Sequence, residues 1–224
     1  MTKSRDPGSG GGVLIVEDHG LLAESLLLAL RAEGLDAERV APVTIDGILS
    51  EARRLSPTVV LLDLDLGGEI GSSVGLIPPL QELGAQVVMV TGITDPARLA
   101  ECLEAGATGL IDKTTSFDQL VDSVREVAEL GTIVSPARRE ALLAELRRQR
   151  RDDQRRREPF ERLTPREREV FAALMDGKPA EVVAAESFVS VATVRSQIRT
   201  ILLKLGVNSQ LTAVALARRN GWTP

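Results

Sequence analysis

The sequence predicts two folds in series: an α/β fold with a five-stranded, doubly wound parallel sheet, and then an all-α region of four short helices. Between residues 13 and 130, short apolar runs rich in Val, Leu and Ile alternate five times with segments of helical periodicity. This is the pattern of a parallel sheet with helices on both faces. From residue 158 onward, apolar residues recur only at helical spacing, which indicates a separate helical domain.

Each strand is predicted from an apolar run that is too short for a helix and is bounded by Gly, Pro or polar residues. The runs lie at residues 13–16, 37–40, 58–63, 86–90 and 109–112. Capping residues and glycines delimit several of the helices between them. Asp95-Pro96, for example, begins a helix that stops at Gly106. The helices are predicted at residues 21–32, 45–55, 74–83, 96–105 and 117–130.

Polar residues are predicted to meet at one edge of this sheet. Glu17, Asp18, Asp63, Thr91 and Lys113 each end a strand or follow one closely, and ligands of open α/β sheets gather at the carboxyl ends of the strands. Three adjacent carboxylates would repel one another unless a cation bound them, and oxygen ligands favour Mg²⁺. Asp63 would then be a nucleophile toward phosphorus, and Thr91 and Lys113 would contact the phosphoryl oxygens.

Four motifs occupy these positions: Glu17-Asp18-His19, Leu61-Leu62-Asp63, Val90-Thr91-Gly92, and Gly106-Ala107-Thr108-Gly109 leading to Lys113. Together they resemble the flavodoxin-like receiver domain of two-component response regulators, over residues 13–130. The resemblance implies that Asp63 accepts a phosphoryl group from a partner histidine kinase. It implies Mg²⁺ ligands from Glu17, Asp18, Asp63 and the backbone carbonyl of Asp65. It also implies that Thr91 and Lys113 sense the phosphorylation state.

Two residues depart from the receiver pattern. Gly67 stands where a proline usually follows the acceptor by four residues, so we expect a more mobile loop. Leu110 replaces the aromatic residue usual three positions before the lysine, so a threonine–aromatic relay cannot operate as in the family. We interpret His19 as a polar neighbour at a helix start, and the side chain of Asp65 as solvent-facing.

Net charge divides the chain into two halves. Residues 1–130 contain 9 Lys and Arg against 21 Asp and Glu, whereas residues 131–224 contain 18 against 11. Such asymmetry is expected when a nucleic-acid-binding module is joined to another domain. Because nine of the arginines lie within residues 138–157, a solvated Arg-rich linker explains the charge equally well.

Two segments are predicted to lie outside the domains. Residues 1–12 are a Gly/Ser-rich tail that we expect to be disordered. Residues 131–157 are an Arg-rich linker, helical from Pro136, with a leucine stripe formed by Leu142, Leu143 and Leu146. This stripe predicts either a rigid connector or a short dimer contact.

The helix predicted at residues 191–205 has two unlike faces. Apolar residues at helical spacing form its inner stripe: Val194, Ile198, Ile201, Leu202 and Leu205. Arg195 and Arg199 lie on the outward face, flanked by Ser196 and Thr200. A helix that presents arginines and small hydroxyls, after another helix and a short turn, suits the major groove of DNA. The spacing alone favours a solvated helix face.

The amino-acid motifs of this region indicate a family more specifically than the spacing of its apolar residues does. The motifs are LTPREREV at residues 163–170, VSVATVRS at 189–196, KLGV at 204–207 and AVALA at 213–217. They resemble the LuxR-type helix-turn-helix over residues 160–222, within a domain predicted at residues 158–224, and the whole chain is similar to response regulators of the NarL/FixJ type. The resemblance implies DNA contacts by Arg195, Ser196 and Arg199 and dimerisation through the fourth helix. We add Thr200 to the DNA-binding face.

The helix before the turn departs from the LuxR pattern. Ala180, Glu181 and Val182 replace the usual Asn, Lys and Glu, and Ser187 replaces a Leu. A carboxylate at Glu181 would weaken contact with the DNA backbone. We therefore hypothesise weak DNA binding by the monomer and a strong dependence on dimerisation.

These patterns predict a two-component response regulator and not an enzyme. Phosphorylation of Asp63 by a histidine kinase would control homodimerisation and sequence-specific binding to double-stranded DNA, and so transcription. No apolar run reaches the roughly 18–20 residues of a membrane span. The single cysteine, Cys102, excludes internal disulfides. We therefore expect a cytoplasmic protein without a membrane partner.

Two rival functions remain open at this stage. Asp63-Leu64-Asp65 resembles the Asp-x-Asp motif of phosphatases that form an aspartyl phosphate, although that motif usually follows the first strand rather than the third. The other rival is a phosphorylation-independent DNA-binding regulator whose receiver serves only dimerisation or ligand binding. Retarded migration after treatment with acetyl phosphate distinguishes the main prediction from this second rival.

Overall fold

The computed structural model describes residues 12–41 and 43–223, which form two compact units that divide between Arg147 and Arg148. Of the tail predicted over residues 1–12, residues 1–11 lie outside the described residues. The carbonyl of Gly12 accepts a hydrogen bond from the amide of Thr58 at 3.0 Å. Gly12 is therefore hydrogen-bonded to the residue that directly precedes the third strand.

Five parallel strands form the sheet of the first unit. They are β1 (Val13–Val16), β2 (Ala37–Val40), β3 (Val59–Asp63), β4 (Gln86–Thr91) and β5 (Gly109–Asp112). The strand order is β2-β1-β3-β4-β5, and every neighbouring pair is parallel. The predicted α/β fold class is confirmed, and β3 lies at the centre of the sheet.

Helices connect the strands and continue into the second unit. The first six are α1 (Gly20–Ala32), α2 (Ile45–Leu55), α3 (Ile77–Glu82), α4 (Pro96–Ala105), α5 (Phe117–Leu130) and α6 (Pro136–Glu161). The side chains of Thr44, Asp95 and Ser116 each accept a hydrogen bond from a backbone N–H in the first turn of α2, α4 and α5. These caps explain where the three helices begin.

The sheet is buried on both faces because successive side chains of a strand point to opposite sides. One core joins alternate strand residues to α2, α3 and α4: Leu14, Val16, Val60, Leu62, Val87 and Met89. The other core joins the intervening residues to α1 and α5: Val13, Ile15, Val59, Leu61, Val88 and Val90. Continuous apolar strands of this kind are typical of doubly wound sheets.

The predicted start of the helix at residues 74–83 is wrong. Ser73–Leu76 forms a 3₁₀ turn, and α3 begins only at Ile77. Pro78 and Pro79 lie in the first turn of α3. A first-turn N–H has no partner within the helix, so proline loses nothing there. The two prolines therefore fix the start of α3 and shorten it.

Helix α6 extends beyond the predicted end at residue 157. Its leucine stripe is occupied within the first unit, where Leu146 packs with Ala97 and Ala100 of α4. The guanidinium of Arg139 donates to the carbonyl of Leu103 at 2.8 Å. The first part of α6 is therefore an additional layer on α4.

The second unit contains four more helices: α7 (Pro165–Met175), α8 (Ala180–Glu186), α9 (Val191–Leu205) and α10 (Gln210–Arg219). Three aromatic rings stack in its core. The centroid of Trp222 lies 5.5 Å from that of Phe160 and 5.1 Å from that of Phe171. This cluster fastens the end of α6 and the chain after α10 to α7.

Membrane-spanning potential is limited to one bent pair. Among the described residues, no single helix is long and apolar enough to cross a membrane. Helices α9 and α10 pass the length and composition test only when taken together, and they are bent by 51°.

A buried carboxylate joins α7 to α9. Thr164 and Glu167 form a capping box, in which Glu167 Oε2 accepts from the Thr164 amide at 2.7 Å. Lys204 Nζ donates to the same oxygen at 2.6 Å. Burial alone would raise the pKa of Glu167, but the hydrogen bonds from Lys204 and Thr164 outweigh it and lower the pKa.

We expect Glu167→Gln to lower the free energy of unfolding by about 1–2 kcal/mol, because Lys204 loses its charged partner while the glutamine can still accept from the Thr164 amide. The folded-state pKa lies below the ordinary value of 4.5. The contribution is therefore complete above that value and disappears as the pH falls through the lower folded-state pKa. Urea titration followed by the fluorescence of Trp222, the single tryptophan, measures it. Glu169→Gln, which breaks an exposed pair with Arg166, is the matched control and should change little.

Candidate functional site

The carboxyl ends of β1, β3 and β4 meet at one edge of the sheet. Val16 pairs with Leu62, and Asp63 pairs with Val90. Residues that follow β1 therefore lie beside the end of β3. Parallel topology, rather than proximity in sequence, brings these groups together.

A carboxylate site, formed by Glu17, Asp18, His19 and Asp63, occupies this edge. One potential ligand atom from each residue lies within 4.8 Å of the others. Glu17 and Asp63 are buried, with only 5% and 4% of their surface exposed. Lys113, directly after β5, places its Nζ 2.7 Å from Asp63 Oδ2 and 2.8 Å from Glu17 Oε2. The structure thus brings together four of the five predicted edge residues around one point.

Burial and charge act against each other in this site. Burial raises the pKa of Asp63, and the hydrogen bond from Lys113 only partly offsets this effect. Burial also works to raise the pKa of Glu17, but hydrogen bonds from Lys113 and His19 reverse the direction and lower it. The two carboxylates in turn raise the pKa of Lys113 against the effect of its own burial. The ammonium group of Lys113 thus forms ion pairs with two buried carboxylates.

His19 contributes more than its position in the sequence indicated. Its Nδ1 lies 2.8 Å from Glu17 Oε1 and 2.8 Å from Asp18 Oδ1, and its amide donates to Glu17 Oε1 at 3.0 Å. The hydrogen bond to Glu17 and the charge of Asp18 raise the pKa of His19. The interpretation of His19 as a polar neighbour omitted this contact with both carboxylates.

The donor set fits a hard divalent cation. Glu17, Asp18 and Asp63 offer carboxylate oxygens, the ligands that Mg²⁺ prefers. Gly67 lies against this set, because a Cβ at residue 67 would stand 2.9 Å from Asp18 Oδ2. Its φ of +61° is also closed to proline, whose φ is fixed near −65°. The departure at Gly67 therefore matches a left-handed backbone conformation that proline cannot adopt.

The side chain of Asp65 is exposed, as predicted, and it also binds Arg98 of α4. The guanidinium donates to Asp65 Oδ1 at 2.9 Å and to Oδ2 at 3.2 Å. These hydrogen bonds lower the pKa of Asp65. Arg98 was missed because it lies 33 residues away in sequence and no periodic pattern relates the two positions. The pair connects the loop after β3 to α4.

Thr91 ends β4 and is buried, and its hydroxyl accepts a hydrogen bond from the amide of Ile93 at 3.1 Å. Beside it, Leu110 is half-buried and lines a cavity of about 210 Å³ together with Thr91 and Leu99. Where the receiver pattern has an aromatic ring, this chain thus has a smaller side chain next to an open volume.

The outward face of α9 is exposed as predicted. Val194, Ile198, Ile201 and Leu205 are buried in the core of the second unit. The four predicted DNA-binding residues are all exposed: Arg195, Ser196, Arg199 and Thr200. They differ in their partners, because the Thr200 hydroxyl donates to the carbonyl of Ser196 whereas the Arg195 guanidinium donates to Glu181 of α8 at 2.9 Å.

Comparison with known proteins decides the family. Residues 13–125 match the family described as "response regulator receiver domain". Residues 161–217 match the family described as "bacterial regulatory proteins, luxR family". The chain belongs to the two-component response regulators. It contains a receiver domain and a LuxR-type helix-turn-helix domain, as the sequence motifs predicted.

The relatives of this response regulator match along nearly its full length. The probable transcriptional regulatory protein NarL of Mycobacterium tuberculosis is 30% identical over 92% of this chain and 93% of its own. The transcriptional regulatory protein DesR of Bacillus subtilis is 26% identical, over 94% and 98%. The structure of the response regulator RcsB in complex with DNA aligns with a TM-score of 0.51 at 20% identity, over 94% and 98%, and shows a shared fold. These relatives are transcriptional regulators, and no enzyme family is indicated.

An ion pair between Arg195 and Glu181 joins the exposed faces of α9 and α8. Both side chains are largely exposed, and the hydrogen bond from Arg195 contributes to lowering the pKa of Glu181, after the effect of Glu181's own backbone amide. The departure at Glu181 noted in the sequence thus has a defined partner. A guanidinium bound to a neighbouring carboxylate is less available to a phosphate or a base.

We expect Asp18→Asn to weaken Mg²⁺ binding roughly 30-fold, because one unit charge about 4 Å from a divalent ion is worth about 2 kcal/mol even at the dielectric constant of water. Isothermal titration calorimetry of the full chain with MgCl₂ measures the change. Asp46→Asn, at the exposed start of α2, removes the same charge away from the site and should leave affinity unchanged. Equal affinities for wild type and Asp18→Asn would contradict this assignment.

Glu181→Gln should tighten binding to a random-sequence DNA duplex on the order of threefold to tenfold at low salt, because it removes a repelling charge and frees Arg195. The slope of log affinity against log salt should steepen by about 1. Fluorescence anisotropy at several salt concentrations measures both. Glu186→Gln is the matched control, because it makes the same charge change on α8 next to Lys178. If both variants gain equally, net charge and not the Arg195 pair is responsible.

Proposed function

We propose that this response regulator is switched by phosphorylation of Asp63, and that the switch controls homodimerisation and sequence-specific binding to DNA. The carboxylate site supports the proposal best, because a buried carboxylate at the centre of the sheet shares one lysine with a second carboxylate. In this proposal residues 13–130 form the receiver, residues 131–157 the linker and residues 158–224 the DNA-binding domain.

The phosphoryl donor in this proposal is the phosphohistidine of a partner histidine kinase. A carboxylate oxygen of Asp63 forms a bond to phosphorus as the P–N bond breaks. The electron pair of that bond stays on the nitrogen, and the imidazole leaves in its neutral form when its other nitrogen carries a proton. The product is an aspartyl phosphate on Asp63.

The residues around Asp63 divide the tasks of holding and sensing this group. Glu17, Asp18, Asp63 and the carbonyl of Asp65 are the proposed ligands of Mg²⁺, which when bound would neutralise charge on the carboxylates and the phosphoryl oxygens. Lys113 donates to a phosphoryl oxygen, and the hydroxyl of Thr91 donates to another.

The added charge at Asp63 biases a two-state receiver. A bias of about 3 kcal/mol changes the ratio of the two states on the order of a hundredfold. The favoured state dimerises, α10 contributes to the dimer, and α9 enters the major groove of double-stranded DNA. There Arg195, Ser196, Arg199 and Thr200 contact bases and phosphates. A protein that acts on DNA in this way works in the cytoplasm.

A second function follows if the receiver is never phosphorylated and serves only for dimerisation or ligand binding. Leu110 favours this alternative, because a threonine–aromatic relay has no ring here and Thr91 borders an open cavity. Both functions keep DNA as the partner, and they differ in what the receiver responds to.

Incubation of the full chain with acetyl phosphate and Mg²⁺ should give a retarded band on a phosphate-affinity gel. Asp63→Asn should abolish that band, because the acceptor oxygen is replaced by an amide. Asp65→Asn keeps its backbone carbonyl and should retain it, which makes it the matched control two residues away. Retardation of Asp63→Asn would exclude Asp63 as the acceptor, and an unretarded wild type would favour the phosphorylation-independent function.

A further inference from the structure

The turn between α8 and α9 contains a strained, solvent-exposed aromatic residue. Phe188 has a φ of +54°, and 96% of its surface is exposed. A bulky residue at positive φ is a true outlier, because its Cβ crowds the backbone there. Outliers of this kind cluster at functional sites, where another role maintains them.

The backbone of the turn requires this conformation but not this side chain. The amide of Phe188 donates to the carbonyl of Ala185 at 3.3 Å, and the amide of Val189 donates to that of Ala184 at 3.1 Å. These bonds close the end of α8 through a residue in the left-handed region, a position that glycine occupies without strain. The phenyl group is therefore an addition that local folding does not explain.

Packing does not explain the ring either. The aromatic core of the second unit consists of Phe160, Phe171 and Trp222, and Phe188 is not part of it. Exposure of 96% leaves almost no apolar surface removed from water. The ring thus combines strain with full exposure, and both are costs to the isolated domain.

The location of Phe188 relates it to α9. It lies two residues before Ser190, the N-cap of α9, so its Cα is at most about 7 Å from the Cα of that cap. In helix-turn-helix domains, residues near the N-terminus of the second helix contact base edges. The ring stands beside the helix end that precedes Arg195 and Arg199.

We propose that Phe188 is a DNA contact that reads thymine, by placing its ring against the 5-methyl groups in the major groove. An apolar side chain at a base edge recognises that methyl group and not a hydrogen-bonding pattern. The contact adds sequence preference without adding charge, which the arginines of α9 already supply. The inference rests on the proposed DNA binding and assigns one specificity determinant within it.

The surroundings favour DNA over a protein partner. The exposed apolar residues near the turn are Phe188, Val182 and Val189, and the two valines are only 40% and 37% exposed. A stable protein interface needs roughly 800 Å² per partner, far more than one ring and two half-exposed valines provide. One ring at the edge of a basic helix suits a groove whose affinity comes mainly from phosphate contacts.

The test compares DNA with and without the thymine methyl. Full-length protein, treated with acetyl phosphate and Mg²⁺, selects binding sites from a random duplex pool, and the selected duplexes are then synthesised with thymine or with uracil. The variants are Phe188→Gly, which relieves the strain and removes the ring, and Phe188→Tyr, which keeps the ring. Thermal unfolding of each variant is measured alongside binding.

Wild type and Phe188→Tyr should bind the thymine duplex about fourfold more tightly per contacted methyl than the uracil duplex. Phe188→Gly should bind both equally, with an unchanged salt slope and a melting temperature no lower than that of wild type. If Phe188→Gly keeps the thymine preference, this inference is wrong while the proposed DNA binding stands. If wild type selects no sequence at all, the proposed sequence-specific DNA binding is wrong, and the inference about Phe188 is wrong with it.

Discussion

The attraction of one lysine for two buried carboxylates is the interaction on which the first unit's site depends. Asp63 ends β3 and Glu17 directly follows β1; burial works to raise the pKa of both carboxyl groups, and the hydrogen bond from Lys113 works to lower both. Removing one partner of a buried ionic group leaves an uncompensated charge. The strand order, with β3 at the centre of the sheet, therefore decides which charged groups meet as well as which apolar residues pack together.

The same lysine gives the site a means of reporting a change at Asp63. It donates a hydrogen bond to Asp63 and forms an ion pair with Glu17, so a group that altered the charge or shape of Asp63 would alter both contacts. Arg98 adds a second link, because it binds Asp65 from α4. The pair of Asp65 with Arg98 is thus one connection from the end of β3 to α4, beside the packing of Leu62 with Leu103.

Much of the fold could be read from the sequence, because buried strands and capped helices leave local patterns. The strands before Asp63 and Thr91 are apolar runs with no helical alternative, and the capping box at Thr164 marks the start of α7 to the residue. The 3₁₀ turn before α3 was not predicted. Apolar periodicity is the same in a 3₁₀ turn and in a first helical turn over so few residues, so it cannot show that the helix begins only at Ile77, just before Pro78 and Pro79. Contacts such as Arg98 with Asp65 depend on tertiary distance, which no local pattern encodes.

Three residues that break a local expectation differ in what explains them. Gly67 is accounted for by its backbone, because a φ of +61° favours glycine and excludes proline. Glu181 is accounted for by its partner, since it pairs with Arg195 on the neighbouring helix. Phe188 has neither a steric reason nor a partner among the described residues, and glycine would serve the turn with less strain. Residues that break a local rule are found mostly at functional or strained sites, and this is the reason for assigning Phe188 to the DNA that the domain is proposed to bind.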